Sequence, residues 1–168
     1  MIIVGLGNPI LSDDGIGCHI ACKLQDIIQG PEISVMEANV VGLDFLDILS
    51  DYDEAIIIDA IQTDISQPGS IYRLEPEAFV NAWHASTPYD INFATVLELG
   101  KRLGLCLPQE IAIYTIQIKD VSSFCEECTN EVKAAIPSCV AMILQELENC
   151  HHTCQYFKGV STLLLNQF

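Results

Sequence analysis

Three aspartates lie at the ends of two apolar runs in the sequence. Asp13 and Asp14 follow IIVGLGNPILS near the start of the chain, and Asp59 follows AIII further along. If both runs are neighbouring parallel strands, their carboxyl ends meet at one edge of a sheet, and Asp14 and Asp59 face one cleft. Two carboxylates that converge on a cleft favour either acid–base chemistry or the binding of a divalent metal.

Each aspartate also has a simpler explanation. One of Asp13 and Asp14 is expected to cap the helix that follows and to complement its dipole, although two carboxylates are more than a cap requires. Asp59 alone at a strand end could be a turn former. The glycines of GLGN do not predict a nucleotide site, because the third glycine of the G-x-G-x-x-G fingerprint is replaced by Ile10.

Eight cysteines form a second set of chemically capable side chains. Cys18 and Cys22 are spaced i,i+4 on a predicted helix, which is typical of small core residues. The segments CEEC (125–128) and CHHTC (150–154) contain ligand types that zinc prefers, but each is only half of a structural site. The helix predicted between them is about 20 residues, or about 30 Å, long, so one metal could use both only if the tail folded back. Reactive thiols or ordinary tail residues are the simpler interpretation.

The periodicity of apolar residues predicts the elements that position these side chains. Strands are predicted at 2–6, 32–37, 54–61, 70–75 and 110–118, and helices at 14–29, 42–52, 91–104 and 129–149, with Thr129 as an N-cap. This alternation predicts an α/β fold in three layers, a mostly parallel twisted sheet of about five strands with helices on both faces. The short link between the third and fourth strands cannot hold a crossover helix, so the fourth strand is expected to be antiparallel. Residues 1–149 are predicted to form one domain, and residues 150–168 an extension of uncertain structure.

Composition limits the possible partners. The 168 residues include 23 acidic and 7 basic side chains, a net charge of −16. Such a surface repels nucleic acid and anionic membranes, so we expect neither as a partner, although solubility alone could explain the charge. No apolar run approaches the about 18 residues of a membrane span. The start of the chain lacks the basic region of a signal peptide, which predicts a cytoplasmic protein with reduced thiols.

The segments GLGNPILSDDGIG, AIIIDAIQT, QPG and STPYDINFATVLELG together resemble the hydrogenase maturation endopeptidases. The resemblance runs from Met1 to about Leu147. ECTNEVKAAIP is also similar to the family's Thr-Pro-x-Val start of the last helix, with Asn130 in place of the proline. The opening motif is specific because it joins Gly-x-Gly-Asn to an acidic pair and a Gly-x-Gly at fixed spacing.

The resemblance implies a function and a site. Members of this family remove a C-terminal extension from the large subunit of nickel-iron hydrogenases after nickel insertion, and they recognise nickel that the substrate carries. Their metal-contacting set is an acidic residue in the first loop, the Asp at the end of strand 3 and a His after a Ser/Thr-Pro turn. The first position corresponds to Asp14 here and the second to Asp59.

The third position departs from the family. Tyr89 occupies the place of the histidine, in the sequence Thr-Pro-Tyr-Asp at 87–90. A neutral phenol is a poor ligand for nickel, whereas imidazole is a good one. His84 and Asp90 are alternative third ligands, although His84 beside Trp83 is simpler to explain as a surface histidine.

The resemblance therefore implies a processing endopeptidase with Asp14 and Asp59 as catalytic residues and Asp14, Asp59 and Tyr89 as metal-contacting residues. Its partner would be a hydrogenase large-subunit precursor, which would supply the nickel; the oligomeric state is left open. The alternative is a non-proteolytic metal-binding chaperone or regulator on the same fold. A nucleotide-binding domain is a third interpretation, opposed by Ile10 and by the acidic charge.

Overall fold

Five strands form one sheet at the centre of the structure, a computed structural model that describes residues 1–39, 43–64, 66–76 and 93–149. The strands are β1 (Ile2–Leu6), β2 (Ser34–Ala38), β3 (Glu54–Ile61), β4 (Ile71–Leu74) and β5 (Glu110–Gln117). Their order across the sheet is β2-β1-β3-β5-β4, and β4 at the edge is antiparallel to β5 while the other pairings are parallel. The predicted sheet and the antiparallel orientation of the fourth strand are confirmed.

Helices cover both faces of this sheet. They are α1 (Ile16–Ile27), α2 (Asp44–Leu49), α3 (Phe93–Arg102), α4 (Asn130–Lys133) and α5 (Ile136–Asn149), with a short 3-10 helix at Ser12–Gly15. Successive residues of β3 point to opposite faces: Ile56 and Ile58 pack with α1 and α5, whereas Ala55 and Ile57 pack with α2 and α3. The predicted three layers are therefore present. Among the described residues, no helix combines the length and the apolar character needed to cross a membrane.

The helix predicted at 129–149 is divided into α4 and α5. Pro137 lies in the first turn of α5, where it lacks the N–H that would continue the hydrogen-bond ladder back to Lys133. Ala135 instead donates to the carbonyl of Val132 at 3.0 Å, which is a tighter 3-10 turn. The prediction of one continuous helix is therefore wrong. The extension predicted at 150–168 lies outside the described residues.

Two glycines bring α1 unusually close to the sheet. A Cβ added to Gly17 would lie 2.2 Å from the carbonyl oxygen of Leu6 and 2.5 Å from that of Ile58, and a Cβ added to Gly5 would lie 2.2 Å from the carbonyl oxygen of Gly17. Only glycine fits at such distances. The contact holds the start of α1, and the loop that precedes it, over the carboxyl ends of β1 and β3.

A hydrogen-bonded ion pair joins α5 to the edge strand β4 of the sheet. Arg73 on β4 donates from Nε and Nη2 to the two carboxylate oxygens of Glu146 on α5, both at 2.9 Å. The hydroxyl of Tyr114 on β5 donates to the same carboxylate. The Arg73 guanidinium lowers the pKa of Glu146.

We expect Tyr114→Phe to lower the free energy of unfolding by about 1.5–3 kcal/mol, because it removes one hydrogen bond to a charged and partly buried acceptor.

Glu146 has a lowered pKa in the folded state, so its ionised form stabilises the protein at neutral pH. That contribution is fully present above the ordinary glutamate pKa of 4.5 and is lost as the pH falls below it through the lowered pKa of the folded state. Urea unfolding of the wild type and Glu146→Gln at neutral and acidic pH checks this; a difference between them that persists in acid would contradict it.

Candidate functional site

Asp59 lies near the carboxyl end of β3 with a carboxyl group that is only partly hydrogen-bonded. Its Oδ1 accepts the backbone N–H of Ala60 at 2.8 Å, and its Oδ2 is buried with no partner in the described part of the chain. The residue is 6% exposed. Burial raises the pKa of Asp59 to about 8, the Ala60 N–H opposes this, and the negative charge of Asp14 adds to it. The carboxyl group of Asp59 is therefore largely protonated at neutral pH.

Asp14 belongs to the 3-10 helix that follows β1, and β1 pairs directly with β3. Its Oδ2 accepts the backbone N–H of Asn8 at 2.9 Å, and its side chain is half-buried. Asn8 in turn closes a turn by accepting the N–H of Ile10 at its side-chain oxygen. In the glycine-rich loop, the backbone N–H that follows Gly7, that of Asn8, therefore binds the Asp14 carboxylate. The sequence expectation that the carboxyl ends of strands 1 and 3 are adjacent is confirmed.

Asp13 has a different role from its neighbour. It is fully buried, and its carboxylate accepts the backbone N–H groups of Lys119, Asp120 and Thr129 and the hydroxyl of Thr129, at 2.7–3.1 Å. Asp13 therefore ties the first loop to the segment after β5 and to Thr129, the N-cap residue of α4. The expectation that Asp13 or Asp14 caps α1 is wrong: Gly15 occupies the N-cap position, and no side chain caps that helix.

Carboxylate oxygens suit divalent metals, and the buried Oδ2 of Asp59 has no hydrogen-bond partner in the described part of the chain. Within residues 1–39, 43–64, 66–76 and 93–149, however, no group of three or more His, Cys, Asp or Glu side chains is arranged to hold a metal ion. Asp14 and Asp59 can therefore supply only part of a coordination shell. Tyr89, His84 and Asp90, the three candidate third ligands, lie outside the described residues.

The cysteines do not form a zinc arrangement where the structure describes them. Cys125 is exposed, whereas Cys128 is buried and donates from Sγ to the carbonyl of Ser12 at 3.6 Å. Burial raises the pKa of Cys128 to about 11, so its thiol stays protonated. Cys18 is a buried core residue as predicted, but Cys22 is exposed, which contradicts the expectation for that residue. The segment 150–154 lies outside the described residues.

These environments predict a sharp division in thiol reactivity. Brief treatment of the native protein with iodoacetamide should label the exposed thiols and spare the buried ones, because alkylation needs an accessible thiolate. Peptide mass spectrometry should find label at Cys22, Cys106 and Cys125, and none at Cys18, Cys128 and Cys139 until the protein is unfolded. Equal labelling of Cys125 and Cys128 would contradict the structure.

Two features of this region were not predicted from the sequence. Thr115 and Gln117 on β5 are buried polar residues in an otherwise apolar strand, at 0% and 2% exposure. Their only sequence signal is a polar side chain within the run IAIYTIQI. Around the first loop, exposed apolar side chains form part of the surface: Ile10, Val121 and Phe124, the last of these 84% exposed.

The fold matches that of a known class of α/β proteins. The solved structure of the hydrogenase maturating endopeptidase HybD from Escherichia coli matches with a TM-score of 0.73 and 25% identity, over 88% of this chain and 91% of that one. The NiFe hydrogenase maturation protease HycI from Thermococcus kodakarensis KOD1 matches with a TM-score of 0.69 over 88% and 92%; at 18% identity, this likeness shows the fold alone. The class is that of the hydrogenase maturation proteases.

Sequence comparisons lead to the same class. The hydrogenase 2 maturation protease of Escherichia coli (strain K12) is 25% identical over 150 residues, covering 81% of this chain and 90% of that protein. The model of the hydrogenase maturation protease family HycI matches residues 18–146, well over half of the chain. This chain therefore belongs to the hydrogenase maturation protease family.

Proposed function

We propose that this protein is an endopeptidase that removes the C-terminal extension of a nickel-iron hydrogenase large subunit after nickel insertion. In this proposal Asp14 and Asp59 contact the nickel that the precursor carries, so the metal belongs to the substrate. Family membership supports the general activity. The observation that carries the assignment of the site is the buried Oδ2 of Asp59, which has no partner in the described part of the chain and lies in the field of Asp14.

The proton on Asp59 weakens the binding of free cations to this site at neutral pH. With a pKa of about 8, the carboxyl group holds a proton at neutral pH, and a cation must displace that proton before it can bind. Asp14, fixed by the Asn8 N–H, adds a second carboxylate at the same sheet edge. Nickel held between precursor and protease would polarise the scissile carbonyl. A site that takes up free cations poorly can distinguish a nickel-loaded precursor from an empty one.

The same fold could serve a non-proteolytic chaperone or regulator that binds the precursor without cutting it. The observation in favour is the sequence Thr-Pro-Tyr-Asp at 87–90, in which the resemblance to the family puts Tyr89 in the place of a histidine. Cleavage distinguishes the two functions.

The direct test incubates the purified protein with a nickel-loaded large-subunit precursor, with the nickel-free precursor as the matched control. Intact mass spectrometry should show loss of the C-terminal extension only in the loaded sample. Asp14→Asn should abolish this loss, because it removes the charge of one of the two proposed nickel contacts while leaving the fold intact. Stable binding to the loaded precursor without cleavage would support the chaperone; cleavage by Asp14→Asn at the wild-type rate would contradict the proposed site.

Tyr89→His should tighten nickel binding to the free protein by about tenfold or more, because imidazole suits nickel and a neutral phenol does not. Calorimetric titration with nickel checks this, and Tyr89→Phe is the control that should leave the affinity unchanged. If Tyr89→His gains nothing, position 89 does not face the acidic pair. The third ligand would then come from His84, Asp90 or the precursor.

A further inference from the structure

Thr115 lies beside Asp59 in the sheet. The two residues are register partners on the parallel strands β5 and β3, so their side chains leave the same face of the sheet from backbones about 4.8 Å apart. Thr115 is completely buried, and its hydroxyl has no hydrogen-bond partner among the residues that the structure describes. A buried hydroxyl without a partner therefore adjoins a buried carboxylate oxygen without one.

The neighbouring side chains on the same face of the sheet, two residues before and two residues after this pair along the strands, differ from it. One step back along the strands, Ile57 and Ile113 are buried and apolar. One step forward, Gln117 is buried but well paired: it accepts the Thr63 hydroxyl at 2.7 Å and donates to the carbonyls of Thr63 and Ile118 at 3.0 and 3.2 Å. Of these three levels, only that of Asp59 and Thr115 has buried side-chain oxygens without a hydrogen-bond partner in the described part of the chain.

A purely structural residue would not need the Thr115 hydroxyl. Valine has almost the same shape and a comparable preference for strands, and it would bring no polar atom into the interior. An unpaired buried polar group costs about 1–3 kcal/mol of stability. A threonine hydroxyl can donate to a carboxylate oxygen, or accept from a protonated carboxyl group, because its hydrogen rotates to suit the partner.

We infer that Thr115 is a positioning residue for Asp59: its hydroxyl hydrogen-bonds the Asp59 carboxylate when that group contacts the nickel of the precursor. This inference rests on the proposed function. A carboxylate that binds a metal is in turn held by hydrogen bonds from neighbouring groups, and loss of such a partner weakens metal binding or activity about 10- to 100-fold. The Ala60 N–H already holds Oδ1, so Thr115 would orient the other oxygen.

The test compares Thr115→Val and Thr115→Ser with the wild type in three measurements: melting temperature, calorimetric titration with nickel, and cleavage of the nickel-loaded precursor. Thr115→Val should melt at or above the wild-type temperature, since it removes an unpaired polar group. It should nevertheless bind nickel and process precursor about 10- to 100-fold less well, and Thr115→Ser should restore both. Thr63→Val is the matched control, because it removes a hydroxyl that already has a partner. It should lower the melting temperature and keep the nickel affinity.

The outcomes separate this inference from the proposed function. Wild-type nickel binding and processing by Thr115→Val, with Asp59→Asn inactive, would overturn the role of Thr115 and leave the protease site standing. Failure of Thr115→Ser to restore function would equally overturn it, because the hydroxyl would not be the cause. If the wild type neither binds nickel nor cuts the precursor, or Asp59→Asn does both like the wild type, the proposed function fails and this inference fails with it.

Discussion

Asp59→Asn is expected to abolish cleavage of the nickel-loaded precursor and to leave the fold intact. The asparagine has nearly the same shape and can still accept the Ala60 N–H, but it cannot become the anionic oxygen ligand that a divalent metal needs. We expect processing to fall by about three orders of magnitude or more, which is typical when a group essential to the reaction is removed. Mass-spectrometric cleavage rates together with circular dichroism of the variant check both parts of the expectation.

The same variant should respond differently to pH. The pKa of Asp59 is about 8 in the folded protein, above its ordinary value of 3.8, so the unfolded chain releases the proton first. The stabilising effect of the protonated form is fully present below about pH 4 and is lost as the pH rises toward 8. Asp59→Asn has no carboxyl group to ionise at this position, so it does not lose stability in this way as the pH rises. Its melting temperature should equal that of the wild type near pH 4 and exceed it near pH 8, whereas an equal deficit at both pH values would indicate a purely structural role.

Asp13→Ala is expected to have the largest effect on stability. It leaves the N–H groups of Lys119, Asp120 and Thr129 without their carboxylate acceptor in a buried site. A hydrogen bond to a charged group contributes about 1.5–3 kcal/mol, so the loss of these bonds together is a large fraction of the about 5–15 kcal/mol that stabilises a domain. Urea unfolding should show a much lower midpoint for Asp13→Ala than for the wild type. Asp13→Asn keeps one acceptor oxygen, so its midpoint should fall between those of Asp13→Ala and the wild type.

The neighbouring residue provides the control. Asp14→Asn changes the same kind of side chain at the next position, but Asp14 is half-buried and its carboxylate accepts a single backbone N–H, from Asn8. It should cost less than about 1 kcal/mol, since that acceptor is retained in the amide. Equal destabilisation by Asp13→Asn and Asp14→Asn would contradict the division of roles between the two aspartates.

Local patterns in the sequence were sufficient for the sheet and for the placement of Asp14 and Asp59 near the carboxyl ends of paired strands. The apolar runs before Asp14 and Asp59 end at strands that pair directly, because buried parallel strands are continuous apolar segments with their carboxyl ends at one edge. The role of Asp13 could not be found in this way, since its partners lie 106 to 116 positions away. Thr115 was missed because an isolated threonine in a strand is common, and only the three-dimensional register places it beside Asp59.

The hydrogen bonds of Asp13 also determine when the first loop can reach its final structure during synthesis of the chain. Every donor to its carboxylate belongs to the stretch from Lys119 to Thr129, after the last strand of the sheet. Synthesis proceeds from the amino terminus, so all five strands are synthesised before these donors are added to the chain. The first loop, although among the earliest residues made, acquires its final anchorage only when translation has passed residue 129. A nascent chain with its sheet already assembled would therefore still have an unfinished Asp14 loop.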